Sequence, residues 1–381
     1  MKNRSRLFFA FAMTLASALT LSAKTSLVYT GTYTKGDSKG IYAFRFDYAT
    51  GALTPLGLAA ETMNAPFLTL HPDGHHLYAL TDIGTYKKEA GGGVSAFEIN
   101  PATGKLKLLN QQSNKTLVAC HVVVDATGKT LIAASYQNGS VEAFPLEADG
   151  SIGPLSTSIQ HHGSGANPAR QAAPHAHHAV IDASNKYVFV PDLGIDKVMI
   201  YRLDAVHGKL TPNDPAFAAA PPGSGPRHIA FSPSGKFAYV INEVNNTVTA
   251  FSFDPAHGAL TTIETVNTLP SDYKGTNTAA EIAVHPNGKF LYASNRGYDS
   301  IAVYSIDSKT GKLHLLSIVP SQGKVPRMFA LSPDGEWMIV AHQDSNSLVV
   351  FKIDSKTGDL KPVGAPVSTP IPVCVLFTSF P

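Results

Sequence analysis

Short runs in which apolar and polar residues alternate recur along the whole chain, and no segment sustains the period of an amphipathic helix. Val248-Thr249-Ala250-Phe251-Ser252-Phe253-Asp254 is representative, with β-branched and aromatic residues leading into a polar turn. Seven such runs end in a turn that closes on Gly and an apolar residue. The copies are Gly51-Ala52-Leu53, Gly104-Lys105-Leu106, Gly150-Ser151-Ile152, Gly208-Lys209-Leu210, Gly258-Ala259-Leu260, Gly311-Lys312-Leu313 and Gly358-Asp359-Leu360. Their glycines lie 53, 46, 58, 50, 53 and 47 residues apart. A strand-built period of about fifty residues predicts a β-propeller.

A second signal sits inside each repeat: a short apolar strand, a Pro-x-Gly-like turn, and another apolar strand. Ile229-Ala230-Phe231-Ser232-Pro233-Ser234-Gly235 followed by Phe237-Ala238-Tyr239-Val240 shows it, with equivalents at 68–74, 122–128, 179–185, 282–288 and 329–335. Together the two signals predict four antiparallel strands per repeat, and hence an all-β, seven-bladed propeller. Residues 27–33 enter in the middle of a repeat, while 373–377 resemble the innermost strand that this repeat lacks. The ring is therefore expected to close through both termini, which hides its edge strands. Gly-, Pro- and Ala-rich insertions at 85–92, 161–174, 212–225 and 270–278 read as loops over one face.

A length of 381 residues would by itself suggest two or three domains, but the repeat predicts one, over 24–381. Before it, Lys2, Arg4 and Arg6 precede an apolar run over 7–21 and the small pair Ser22-Ala23. This is the pattern of a signal peptide over residues 1–23. It predicts a periplasmic or secreted protein with no integral span after cleavage. Without that leader, 27 basic residues face 28 acidic ones, in no basic tract, which argues against nucleic acid or anionic membrane as partner. The two cysteines, Cys120 and Cys374, show no CxxC or zinc spacing; a disulfide and two buried thiols are both open.

Aligning the repeats on their turns isolates the places where they differ. Just before the innermost strand stand Pro66, Cys120, His177, Arg227, Ala280, Arg327 and Val373, each followed by Phe67, His121, His178, His228, Glu281, Met328 and Cys374. At the end of the next strand come Thr81, Ser135, Asp192, Asn242, Asn295 and His342, with neighbours Asp82, Tyr136, Leu193, Glu243, Arg296 and Gln343. Architecture alone asks for the same residue each time, so these charges mark a candidate site at the channel mouth. Arg227 and Arg296 offer fixed donors to an anionic substrate and to a developing oxyanion. Glu243 is placed to activate water, and His177 or His175 to pass a proton to a leaving alkoxide. His228, Asn295, Asp192 and His121 are candidate substrate contacts, while Arg327 and His342 are placed along the same channel. Asp192 can equally orient a histidine or cap a turn. His175, His177 and His178 are close enough for a metal, but no acidic cluster accompanies them and no metal or cofactor is assigned. His161, His162 and His207 read as solvated loop residues. No Gly-x-Ser-x-Gly elbow is present, so water is the expected nucleophile.

These segments resemble the seven-bladed propeller lactonases, a family that includes propeller-type 6-phosphogluconolactonases and 3-carboxy-cis,cis-muconate lactonizing enzymes. The resemblance rests on Tyr29-Thr30-Gly31-Thr32-Tyr33-Thr34, Lys39-Gly40-Ile41-Tyr42, His162-Gly163-Ser164-Gly165, the stretch 170–178, Pro191-Asp192-Leu193-Gly194, Gly225-Pro226-Arg227-His228, Asn242-Glu243 and Ser294-Asn295-Arg296-Gly297. It implies a catalytic cluster of one His, two Arg and one Glu, falling on His177 or His175, Arg227, Arg296 and Glu243. Ala172 stands where the family often has Glu. The expectation is a metal-independent lactonase acting on a small anionic sugar lactone, although a leader peptide is unusual for a substrate of central metabolism. A muconate-type cycloisomerase and a non-catalytic exported binding propeller are the two rival readings.

Overall fold

The computed structural model describes residues 24–378 except 87–88, 115 and 117–118, so the leader expected over 1–23 lies outside the described residues. Twenty-eight strands form seven four-stranded antiparallel sheets, and no helix occurs among the described residues. Six blades use four consecutive strands each. The seventh joins the C-terminal strand Pro372–Phe377 to Thr25–Thr32, Gly40–Asp47 and Leu53–Glu61. In that closing pair Val28 faces Phe377 and Gly31 faces Cys374, as the half-repeats at the two ends predict.

Period-2 alternation gives every central strand two apolar faces, and each face packs on the next blade rather than on water. Seven apolar clusters result, one at each blade-to-blade interface; Tyr239, Ile241 and Val248 of the fourth blade, for example, meet Ile282, Leu291 and Tyr304 of the fifth. The repeat glycines belong to these interfaces. Gly311 and Gly358 have φ of 73° and 80°, and a Cβ there would strike Phe237 and Phe290 of the preceding blade. Their carbonyls accept from the buried Tyr239 and Tyr292 hydroxyls at 3.1 and 3.0 Å.

Two of the expected loops are partly strand. The strands His76–Tyr86 and Glu89–Ile99 pair as far as Thr85–Ala90 and Tyr86–Glu89, and Lys209–Ala219 pairs at Pro212 and again over 217–219, with 213–216 bulged out between them. The stretches 161–174 and 270–277 are irregular, each leading from an outermost strand to the innermost strand of the next blade. Cys120 and Cys374 are free thiols.

Candidate functional site

Four of the innermost strands begin with a bulge, Val373 being the extra residue in the seventh blade. Pro226 pairs with Asn242 and His228 with Ile241, leaving Arg227 as the extra residue; Arg327 is left over in the same way between Pro326 and Met328. In the fifth blade the shift falls between Ala279 and Ile282. A bulge bends the strand and re-aims a side chain, and here it turns Arg227 and Arg327 into the channel. At the ends of the neighbouring strands, alternation sends adjacent residues opposite ways. Asn242 and Asn295 face the blade interior, while Glu243 and Arg296 face the channel.

A cavity of about 290 Å³ opens at the mouth, lined by Tyr33, Cys120, Tyr136, His177, Glu243, Arg296 and Arg327 among others. Glu243 is its electrostatic centre. Its Oε2 accepts from Arg227 Nε at 3.0 Å and Arg296 Nη2 at 2.8 Å, and its Oε1 from Arg170 Nη2 at 2.5 Å. Burial alone would raise this carboxyl, but Arg296, Arg227 and Arg170 outweigh it and hold it at about 2. Arg227, 2% exposed, is pushed down to about 9 by burial and by Arg296 and Arg327, and remains charged at neutral pH. Arg327 has no carboxylate partner among the described residues and lies 5.4 Å from the Tyr33 ring. Four guanidiniums thus gather round one ionised carboxylate at the mouth.

A second layer lies below. Arg227 Nη1 donates to Ala280 O at 2.7 Å and to His228 Nε2 at 3.1 Å. Because Arg only donates, His228 must carry its proton on Nδ1, which donates to Glu281 Oε1 at 3.1 Å. Burial pushes Glu281 up to about 7 against the pull of Arg227 and His178. The rings of Phe67, His121, His178 and His228 pack on one another, with His178 centred 3.8 Å from His121 and 4.4 Å from His228. Burial, then neighbouring charge, lowers His121, His177, His178 and His228 well below the usual imidazole range.

The geometry corrects several expectations. His177 lines the cavity with Nδ1 unpartnered, whereas His175 stacks on Tyr136 at 4.4 Å and its Nδ1 meets Tyr136 O at 2.9 Å. Asp192 is fully buried: it accepts from the backbone N–H groups of His175 and Gly194 and meets the His161 ring at 2.6 Å, so it both caps the turn and orients a histidine. That histidine, His161, is buried between Asp192 and the Tyr201 hydroxyl rather than solvated; His162 and His207 are exposed as expected. Asn295 is fully engaged with Thr268, Asn277 and Ser300 inside its blade. His121 lies too deep to line the cavity, His228 borders only the constriction beneath it, and His342 is sealed under Gly323. Arg170 is the residue that sequence reasoning missed as a site member; only its position beside the histidine stretch hinted at it.

Unfolding should take up protons below pH 6.5. His121, His177, His178 and His228, with His342 at about 4, stay neutral in the fold at pH values where the unfolded chain would protonate them. Glu281 and Glu142, both raised to about 7, act in the opposite sense between their unfolded value of 4.5 and pH 7, but they are fewer. The net result is stability that falls as pH drops, by ~1.4 kcal/mol per pH unit for each uncompensated proton. Scanning fluorimetry from pH 8 to 5 should show the melting temperature highest near neutrality and declining below about 6.5. A flat or rising profile toward pH 5 would contradict the assignment of neutral buried imidazoles.

The family described as "Lactonase, 7-bladed beta-propeller" matches residues 27–377, and the chain belongs to it. It is a lactonase by class. It is 37% identical over 349 residues to the 6-phosphogluconolactonase of Bacillus subtilis, covering 92% of this chain and 97% of that one. With the 6-phosphogluconolactonase of Formosa agariphila it shares 34% over 309 residues, 80% and 86% of the two chains. The periplasmic gluconolactonase of Pseudomonas aeruginosa superposes with a TM-score of 0.88 at 32% identity, over 94% of this chain and 100% of that one.

Proposed function

We propose that the protein hydrolyses an anionic sugar lactone of the 6-phosphogluconolactone kind by direct attack of water at the channel mouth. The observation that carries this reading is the excess of positive charge: Arg170, Arg227, Arg296 and Arg327 surround the single ionised Glu243. In this scheme Arg327, which has no acidic partner among the described residues, receives the substrate's phosphate or carboxylate. Arg296 points a guanidinium at the lactone carbonyl oxygen. Arg227 has Nε and Nη1 already committed, so it supplies field rather than a free donor.

Proton transfer falls to His177. Glu243, held at about 2 by three ion pairs, is a weak base, whereas His177 is neutral and borders the cavity. Water oxygen bonds to the lactone carbonyl carbon as its proton passes to His177, and the oxyanion forms beside Arg296. Collapse breaks the bond to the ring oxygen, which takes the proton back from His177 and leaves a hydroxy acid. Glu243 acts by holding three guanidiniums in place. The basic-then-apolar leader over 1–23, and the periplasmic gluconolactonase among the structural relatives, support a location outside the cytoplasm.

The test is a turnover screen of the mature protein on gluconolactone, 6-phosphogluconolactone and a muconate. Both lactones should open, and Arg327→Ala should raise KM ~10–100-fold for the phosphorylated one alone, as expected for a lost charge-assisted contact. Turnover of the muconate alone, or binding with no turnover, would replace this reading with cycloisomerase or scaffold.

A further inference from the structure

On the far side of the ring from the cavity, the turn after the first blade's innermost strand reads His71-Pro72-Asp73-Gly74-His75-His76. We propose that His71, Asp73 and His76 form a binding site for a divalent transition-metal ion such as Zn2+. One donor atom from each side chain lies within 4.8 Å of the other two. Asp73 Oδ2 is 2.9 Å from His71 Nδ1 and 2.8 Å from His76 Nδ1. The two imidazoles are half-buried and Asp73 is exposed, so an ion can enter.

Hydrogen bonding around His71 makes the case. Its Nε2 donates to Gly128 O of the second blade at 2.9 Å, and its Nδ1 accepts from the Asp73 backbone N–H at 3.2 Å. The ring is thereby set as the tautomer with a bare Nδ1, the arrangement in which a metal-bound histidine donates its other nitrogen to a carbonyl. That bare nitrogen faces a carboxylate oxygen at 2.9 Å. At this distance the two acceptors repel unless a proton or a metal cation is shared between them. Asp73 Oδ1 is occupied by the His75 and His76 backbone N–H groups, so the carboxylate is held with Oδ2 toward both imidazoles.

The chain contains its own control. In the fifth blade His285 makes the same two contacts, Nε2 with Gly335 O at 2.8 Å and Nδ1 with the Asn287 N–H at 3.1 Å. There Asn287 stands in place of Asp73 and Phe290 in place of His76, and the turn forms without them. Turn architecture accounts for His71 and for the cap that Asp73 Oδ1 makes, which Asn287 and Asp334 repeat in the fifth and sixth blades; the second imidazole at His76, facing the free Oδ2, is additional. Two nitrogens and one oxygen suit Zn2+, Cu2+, Ni2+ or Co2+ rather than Mg2+ or Ca2+. The two nitrogen–oxygen contacts need to open by about 0.5 Å for a tetrahedral Zn2+ at ~2.0–2.1 Å, with water completing the shell. Because His71 contacts Gly128 and His76 packs on Gly150, a bound ion would staple the first blade to the second. It would take no part in lactone chemistry.

Isothermal titration of the mature protein with Zn2+ at pH 7.5 tests this, comparing wild type with Asp73→Asn and His76→Phe, the residues the fifth blade uses. Wild type should bind one Zn2+ more tightly than any surface pair such as Asp204–His207, and each variant should weaken that site at least tenfold. Zn2+ should raise the melting temperature of wild type but not of the variants, with lactone turnover unchanged in all three. Equal zinc binding by wild type and variants would overturn the proposal. So would no binding by wild type at 100 μM Zn2+ with His71 found as an imidazolium by NMR, since the cluster would then be an ion pair only.

Discussion

Replacing His177 by Ala is expected to lower kcat on the preferred lactone by ~10²–10⁴-fold, the usual contribution of one positioned proton-transfer group. KM should change little, because the arginines that hold the anion are untouched. His177 is the imidazole that borders both the cavity and the constriction below it, and its Nδ1 has no hydrogen-bond partner among the described residues. His175→Ala should retain most activity, since that ring is turned onto Tyr136 and its Nδ1 meets a backbone carbonyl. The pH profile gives a second readout. Burial, followed by the charges of Arg227, His228 and Arg327, lowers the His177 pKa well below 6.5. The active, neutral form therefore persists to lower pH than for a free imidazole, and the acid limb of kcat/KM should lie below pH 6.5. Full activity in His177→Ala, or a limb at or above the free-imidazole value, would return the proton-transfer role to another group.

How the sequence reading fared follows from the same geometry. A propeller is legible because its repeats align with one another: the Gly-Leu turns and Pro-x-Gly hairpins recur, and the half-repeats at the termini complete one blade. The same alignment isolated Glu243, Arg296, Arg227 and His177, which the fold gathers at one mouth. What it did not resolve is direction. Asn295 and Arg296 are neighbours in sequence, yet alternation buries one in the blade and aims the other at the cavity. Asp192, in the same position of the third blade, is turned inward in the same way. The bulges that free Arg227 and Arg327 depend on pairing register, which one strand read alone does not reveal. Arg170 reaches Glu243 across 73 residues of chain from an irregular loop, and His161 is buried by Tyr201 from another strand. Such contacts are tertiary and leave no local pattern.

Glu243→Gln should be the most damaging single change to the fold near the site. The carboxylate is almost fully buried and is shared by Arg227, Arg296 and Arg170, with the Arg227 side chain only 3% exposed. Glutamine keeps the shape and one acceptor oxygen but removes the charge. Three guanidiniums, with Arg327 close by, would then repel one another with no ionised carboxylate among them. Breaking a buried pair from one side typically costs ~3–5 kcal/mol, because the partner's charge stays buried. The sign of the pH dependence is that of any ion-paired acid: the depressed pKa gives stability that is complete above the unfolded value of 4.5 and lost as pH falls toward about 2. Urea denaturation at pH 7 should therefore show the full loss in Glu243→Gln, and the difference from wild type should shrink as pH falls below 4.5. Pairing the mutation with Arg170→Ala should recover part of the stability, since one stranded charge is removed. If Glu243→Gln is as stable as wild type at pH 7 yet inactive, Glu243 takes part in the chemistry itself rather than holding the arginines, and the base returns to the carboxylate.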